Sequence, residues 1–124
     1  MKNLKTLDLG KNTFTVFPDM ITKYTALETL NFENNPITKL PETINTLKNL
    51  KELNLANCNA LLTLPIEIGE LSNLESLILS NCTNLKILPA ELMNLKNLKV
   101  LDISGTKLSV KDFQKAVPGC EVRK

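Results

Sequence analysis

The chain contains no histidine and no tryptophan, and aromatic residues fill only 4 % of its 124 positions. Without histidine it lacks the side chain that titrates nearest neutral pH, the usual general base. The shortage of aromatics means that any core is aliphatic, and leucine supplies most of it. No glycine-rich phosphate loop and no nucleophile elbow occurs. No apolar run approaches the roughly 20 residues needed to span a bilayer. The opening MKNLKTLDLG carries no apolar secretion signal, so the expectation is a cytoplasmic chain or a fragment whose leader has been removed. Three cysteines are an odd number and none lies in a CxxC spacing, which argues against a disulfide framework or a zinc site. The net charge is +2 and the lysines are scattered, so nucleic acid is not the default partner.

What is present is a repeat. Apolar content of 43 % is enough for one core in one domain, residues 1–124. A first leucine recurs at Leu4, Leu27, Leu50, Leu74 and Leu98, with periods of 23, 23, 24 and 24 residues. The units span about 4–26, 27–49, 50–73, 74–97 and 98–108, with a tail at 109–124. The third reads Leu50, Leu53, Leu55, Cys58, Leu61, Leu64-Pro65, Ile68, Leu71. The others repeat this pattern, and the fifth departs from it after Leu108.

Each piece has a physical reading. Leu53 and Leu55 point to one side of a short strand, because side chains alternate along extended backbone. Such a strand buries nothing alone, whereas stacked copies form a continuous leucine column. The prolines at 18, 41, 65 and 89 suit a first helical position. Asp19, Glu42, Glu67 and Glu91 follow them, where a helix N-terminus favours an acid. Apolar residues three apart, such as Ile68 and Leu71, form one face of a single helical or 3₁₀ turn.

These motifs, five LxxLxL segments and four LPxx(I/L)xxL segments in register, resemble the leucine-rich-repeat family over residues 4–108. The chain is similar to the LPxxIxxL subgroup of bacterial proteins and plant immune receptors. NLANCNALLTLP and LSNCTNLKILP look most like the cysteine-bearing repeats of plant resistance proteins and bacterial relatives. The resemblance implies an α/β solenoid, a right-handed horseshoe superhelix. Its parallel β-sheet is concave, short 3₁₀ or α turns lie on the convex side, and a helical cap closes the C-terminus.

Asn12 and Asn35 sit where the strand turns outward, and a side-chain amide there can satisfy backbone groups of neighbouring turns. Cys58, Cys82 and Thr106 continue this ladder. The two inner cysteines are expected about 5 Å apart on adjacent turns and read as buried structural thiols rather than metal or redox groups. The sequon Asn81-Cys82-Thr83 is not expected to carry glycan, since its cysteine points inward. After Leu108, Ser109 or Thr106 can cap a helix to about Ala116, anchored by Val110, Phe113 and Val117. Pro118-Gly119 stops it, and Cys120 and Val122 add a last strand with Cys120 in the core. The N-terminus has no such cap. Further sequence before Leu4, or self-association of the first turn, is the expectation.

Function is expected on the concave face, whose side chains are not needed to fill the core. The residues after each first leucine, Lys5, Glu28, Lys51, Glu75 and Lys99, alternate in sign and read as a solvated ion ladder. With them, and with Lys11, the face carries four lysines (5, 11, 51, 99) against six acids (8, 28, 33, 52, 75, 102). That balance disfavours a phosphate backbone as ligand. Candidate partner-binding residues are Asn31, Glu33, Glu52, Asn54, Ser76, Ile78, Val100 and Asp102. Ile78 and Val100 read either as an apolar anchor in a polar rim or as ordinary β-branched strand residues. No catalytic residue, cofactor or metal is expected. The first functional reading is a module binding a protein partner of unknown identity. The second is the recognition segment of a larger signalling enzyme or receptor. The third is a structural unit that self-associates through its uncapped N-terminal end.

Overall fold

In each unit the alternating leucines give a three-residue strand. These are β1 (Thr6–Asp8), β2 (Thr29–Asn31), β3 (Glu52–Asn54), β4 (Ser76–Ile78) and β5 (Val100–Asp102). The structure, a computed structural model, describes residues 3–124. A sixth strand, β6 (Glu121–Arg123), follows the helix α1 (Lys111–Ala116). The strands form one parallel sheet in chain order. Register is unbroken, so Leu7, Leu30, Leu53, Leu77, Leu101 and Val122 make one inward column. Leu30, Leu53 and Leu77 are fully buried, and burying one such side chain contributes about 1.5–3 kcal/mol.

Across the core lie four 3₁₀ turns, Asp19–Lys23, Glu42–Thr46, Ile66–Glu70 and Ala90–Asn94. Strands stack about 4.8 Å apart, whereas helical turns carrying side chains need more room, so the stack curves toward the sheet. Each proline stands one residue before its turn, with extended ψ between 122° and 155°. This corrects the expected first helical position by one. The proline carbonyl closes the turn by accepting from Ile21, Ile44, Ile68 or Leu92 N–H. Gly69 is required where consecutive turns touch, because a Cβ there would overlap the Glu91 carbonyl.

The chain leaves each strand through a residue in the left-handed region. Lys11, Asn34, Asn57, Asn81 and Gly105 have φ between 58° and 75°. Asparagine and glycine tolerate this conformation best, and lysine is the exception. One residue later the expected ladder is present. Asn35 Nδ2 donates to the carbonyls of Leu9, Phe32 and Glu33, and its Oδ1 accepts from Phe14 N–H. Cys58 Sγ donates to Phe32 O at 3.4 Å and Cys82 Sγ to Leu55 O at 3.0 Å. The extra residue of the cysteine units closes a backbone turn, Leu61 N–H to Cys58 O and Leu85 N–H to Cys82 O.

A second ladder lies on the return path. Asn49, Asn73 and Asn97 each donate to a carbonyl of the preceding unit, those of Thr25, Lys48 and Ser72.

The C-terminal cap forms with two corrections. Val110, Phe113 and Val117 are buried as anchors, but neither Ser109 nor Thr106 caps α1, whose N-cap position is held by Val110 with no side-chain bond. The Thr106 hydroxyl instead donates to Ile103 O and accepts from Leu108 N–H, closing the strand exit. Cys120 lies in the bend before β6, half-buried rather than in the core. At the other end Leu4, Leu7, Leu9 and Phe14 are half-buried, while their counterparts Leu27, Leu30, Phe32 and Ile37 are fully buried. Phe14 and Phe17 pack on Phe32 with ring centroids 5.5 and 5.1 Å apart. Three of the four phenylalanines thus pack together in the first two units, an aromatic cluster that the repeat pattern did not announce.

Candidate functional site

On the outer side of the sheet, strand alternation sets two rows of side chains. Thr6, Thr29, Glu52, Ser76 and Val100 form one, and Asp8, Asn31, Asn54, Ile78 and Asp102 the other. A depression of about 330 Å³ runs across β1–β4 between them, with Thr6, Thr29 and Glu52 on one side, Asp8, Asn31 and Asn54 on the other, and Ile78 at its end. Seven of the eight expected binding residues, Asn31, Glu52, Asn54, Ser76, Ile78, Val100 and Asp102, share these two rows. Glu33 stands in the next row, beside Gly10 and Ala56.

The second row is held in place by its own backbone. Asp8 Oδ1 accepts from Gly10 N–H, Asn31 Oδ1 from Glu33 N–H, Asn54 Oδ1 from Ala56 N–H and Asp102 Oδ1 from Ser104 N–H. Asn31 Nδ2 also bridges Asp8 Oδ1 at 3.0 Å and Glu33 Oε1 at 3.3 Å. The polar side chains are therefore fixed in orientation, which lowers the entropy cost of binding. Sequence reasoning missed this device, although an Asp or Asn three residues before the strand exit is its visible signal. Ile78 lies between Asn54 and Asp102 in register. It and Val100 are half-buried.

The ion ladder is present as a row but hardly as ion pairs. Lys99 and Glu75 approach to 3.7 Å. No other pair in that row comes within bonding distance among the described residues. Solvent screening makes such exposed contacts worth little. Asp8, Glu33, Glu52 and Asp102 likewise have no ion-pair partner among the described residues.

A competing surface lies on the flank, where the chain runs from strand exit to 3₁₀ turn. Val16 is 75 % exposed, Ile87 70 %, Leu62 58 % and Ile66 57 %. The sequence shows the signal as apolar doublets such as Val16-Phe17 and Ile87-Leu88, of which the core needs only the second. These residues are spread over three units, and the sequence reading did not select them.

No group of three or more metal-ligating side chains occurs among the described residues. Burial raises the Cys58 thiol above its ordinary value and pushes Cys82 up to about 12, against a smaller lowering by the backbone of Cys58. Both are thus poor nucleophiles. Their neutral form is favoured by the fold, so their contribution is fully present below the unfolded thiol value near 9 and is lost as pH rises through it toward 12. At pH 8, iodoacetamide should label native Cys120 first, with Cys58 and Cys82 reacting only as the chain unfolds. Mass spectrometry of the labelled peptides tests this, and equal rates at all three would contradict it.

Comparison with known proteins places the repeat in context. The sequence model of the leucine-rich repeat region matches residues 1–120. The adenylate cyclase of Schizosaccharomyces pombe is 45 % identical over 53 residues, covering 43 % of this chain and 3 % of that protein. The Arabidopsis receptor kinase HAESA, solved with the peptide hormone IDA and the co-receptor SERK1, superposes with a TM-score of 0.83 at 28 % identity. That match covers 100 % of this chain and 22 % of HAESA. TLR13, solved as a complex with ssRNA13, gives a TM-score of 0.83 at 31 % identity over 99 % of this chain and 18 % of TLR13. The chain therefore spans a small part of each relative. No helix among the described residues is long and apolar enough to cross a membrane.

Proposed function

The chain belongs to the leucine-rich-repeat family, and from that premise we propose that it is a protein-binding module taking a partner protein against its concave sheet face. The observation that carries this reading is the second strand row, Asp8, Asn31, Asn54 and Asp102, locked by backbone N–H groups yet not used by the core. Rigid polar groups around the half-buried Ile78 and Val100 make an apolar centre within a polar rim. The likeness to HAESA, solved with a peptide hormone, supports a peptide-like ligand. The likeness to TLR13, solved with RNA, raises nucleic acid as a rival. The carboxylates of Asp8, Glu33, Glu52 and Asp102 repel phosphate and favour protein. With no histidine and an open, shallow face, the reading includes no catalysis by this chain.

Affinity capture on the immobilised chain tests it. Proteins retained by the native chain should be lost with Ile78→Arg or Glu52→Lys and kept with the flank control Ile87→Arg. Loss with the flank control alone would move the site to the flank. Circular dichroism confirms that each variant is folded.

A second reading, favoured by the adenylate cyclase likeness, makes this chain the recognition segment of a larger signalling protein. Binding would then regulate chemistry housed elsewhere. Self-association through half-exposed Leu4, Leu7 and Leu9 is the third, and light scattering over a dilution series separates it from a monomeric binder.

A further inference from the structure

Resting on the protein-binding reading, we propose that the concave groove receives an extended partner segment with two basic residues about three positions apart, followed by an aliphatic residue. Charge complementarity and spacing carry the inference. The two rows bordering the groove hold the carboxylates Asp8 and Glu52 and no cation in β1–β4, and the next cation along the second row, Arg123 on β6 beside Asp102, is bonded to Glu121 at 2.8 Å. Among the described residues no cation pairs with them. The lysines of this face, Lys5, Lys51 and Lys99, stand one position outside, where they are exposed.

Asp8 already has one oxygen bonded by Gly10 N–H and Asn31 Nδ2, at 3.0 Å each, and the other takes no bond from the described residues. Asn54 has its oxygen bonded by Ala56 N–H, while its amide N–H groups have no partner among them. Oriented acceptors for a cation therefore stand beside a free donor for a peptide carbonyl. Both suit an extended chain, and the carboxylates repel an anion.

The spacing follows from the sheet. Asp8 is on β1 and Glu52 on β3, two strands apart, which is about 9.6 Å at 4.8 Å per strand. A segment lying across the strands advances about 3.3 Å per residue, so its two basic side chains fall about three residues apart. Ile78 and Val100, on β4 and β5, lie one and two strands further. An aliphatic residue about two or three positions beyond the second basic one would cover them.

Panning a display library of random linear peptides on the full chain tests this. Enriched peptides should carry Arg or Lys three apart with Leu, Ile, Val or Met beyond. Their binding should weaken about tenfold or more in Asp8→Asn/Glu52→Gln, the effect of removing a charged hydrogen-bond acceptor. It should also weaken as salt is raised on the native chain, a readout that needs no variant. Enriched peptides without basic residues that still lose binding in Ile78→Arg would overturn this inference and leave the concave site standing. Peptides indifferent to Ile78→Arg would overturn both, and no enrichment would overturn the inference.

Discussion

Leu53→Ala should lower the free energy of unfolding by about 2–5 kcal/mol, the range for removing a large aliphatic side chain from a packed core. Leu53 is fully buried at the centre of the inward column, flanked in register by Leu30 and Leu77. Its neighbours are held by the hydrogen-bonded sheet on one side and by the 3₁₀ turns on the other, so the cavity closes only in part. In a solenoid the loss spreads, because each unit is stabilised by its neighbours. Leu7→Ala is the internal comparison. Leu7 is chemically equivalent but half-buried at the open end, so its loss should be clearly smaller. Urea unfolding of the three proteins measures both, and equal losses would show that burial does not fall toward the N-terminal end.

Asn35→Leu should cost about 2–3 kcal/mol although it adds apolar volume. Asn35 is the buried polar residue of the core, 1 % exposed. Its amide donates to Leu9 O at 2.9 Å, Phe32 O at 3.0 Å and Glu33 O at 3.2 Å. Three of these groups retain other partners. Leu9 O accepts from Asn12, Phe32 O from Cys58, and Glu33 O from Lys11 N–H. Phe14 N–H, whose acceptor is Asn35 Oδ1 at 3.2 Å, does not. Leaving this half-buried donor unsatisfied costs toward the lower end of about 1–3 kcal/mol, and weakening the three carbonyl bonds adds to this. Asn12 holds the same place in the first unit but is exposed. Asn12→Leu should therefore change stability by less than about 0.5 kcal/mol. Thermal unfolding of both variants decides, and a neutral Asn35→Leu would mean that the ladder is ornamental to stability.

Much of this fold was legible because the leucine period repeats without interruption. A column such as Leu30, Leu53 and Leu77 is set by burial alone, and burial is what the pattern reports. The same holds for Cys58 and Cys82, whose position in the ladder fixed their inward direction. What escaped was of a different kind. Asn34, Asn57 and Asn81 were overshadowed by their neighbours at 35, 58 and 82, since only backbone geometry tells which of two adjacent residues takes the left-handed turn. The return ladder of Asn49, Asn73 and Asn97 repeats in the sequence, just before each first leucine, but an exposed asparagine carries no periodic hydrophobic signal. Thr106 looked like a helix cap because threonine suits that role, yet its hydroxyl oxygen accepts from Leu108 N–H and α1 starts only at Lys111. On the concave face the rows were legible from strand alternation. The locking of Asp8, Asn31, Asn54 and Asp102 depended on local hydrogen bonds, and the half-burial of Ile78 depended on neighbours one strand away.

The most direct test of a concave binding face is methyl NMR of the chain with labelled Ile, Leu and Val, titrated with the protein or peptide it retains. The methyl groups of Ile78 and Val100 should shift and broaden first, with Val16, Leu62, Ile66 and Ile87 unmoved. Shifts confined to those four flank residues, with Ile78 and Val100 silent, would contradict the account and place binding on the flank of the solenoid.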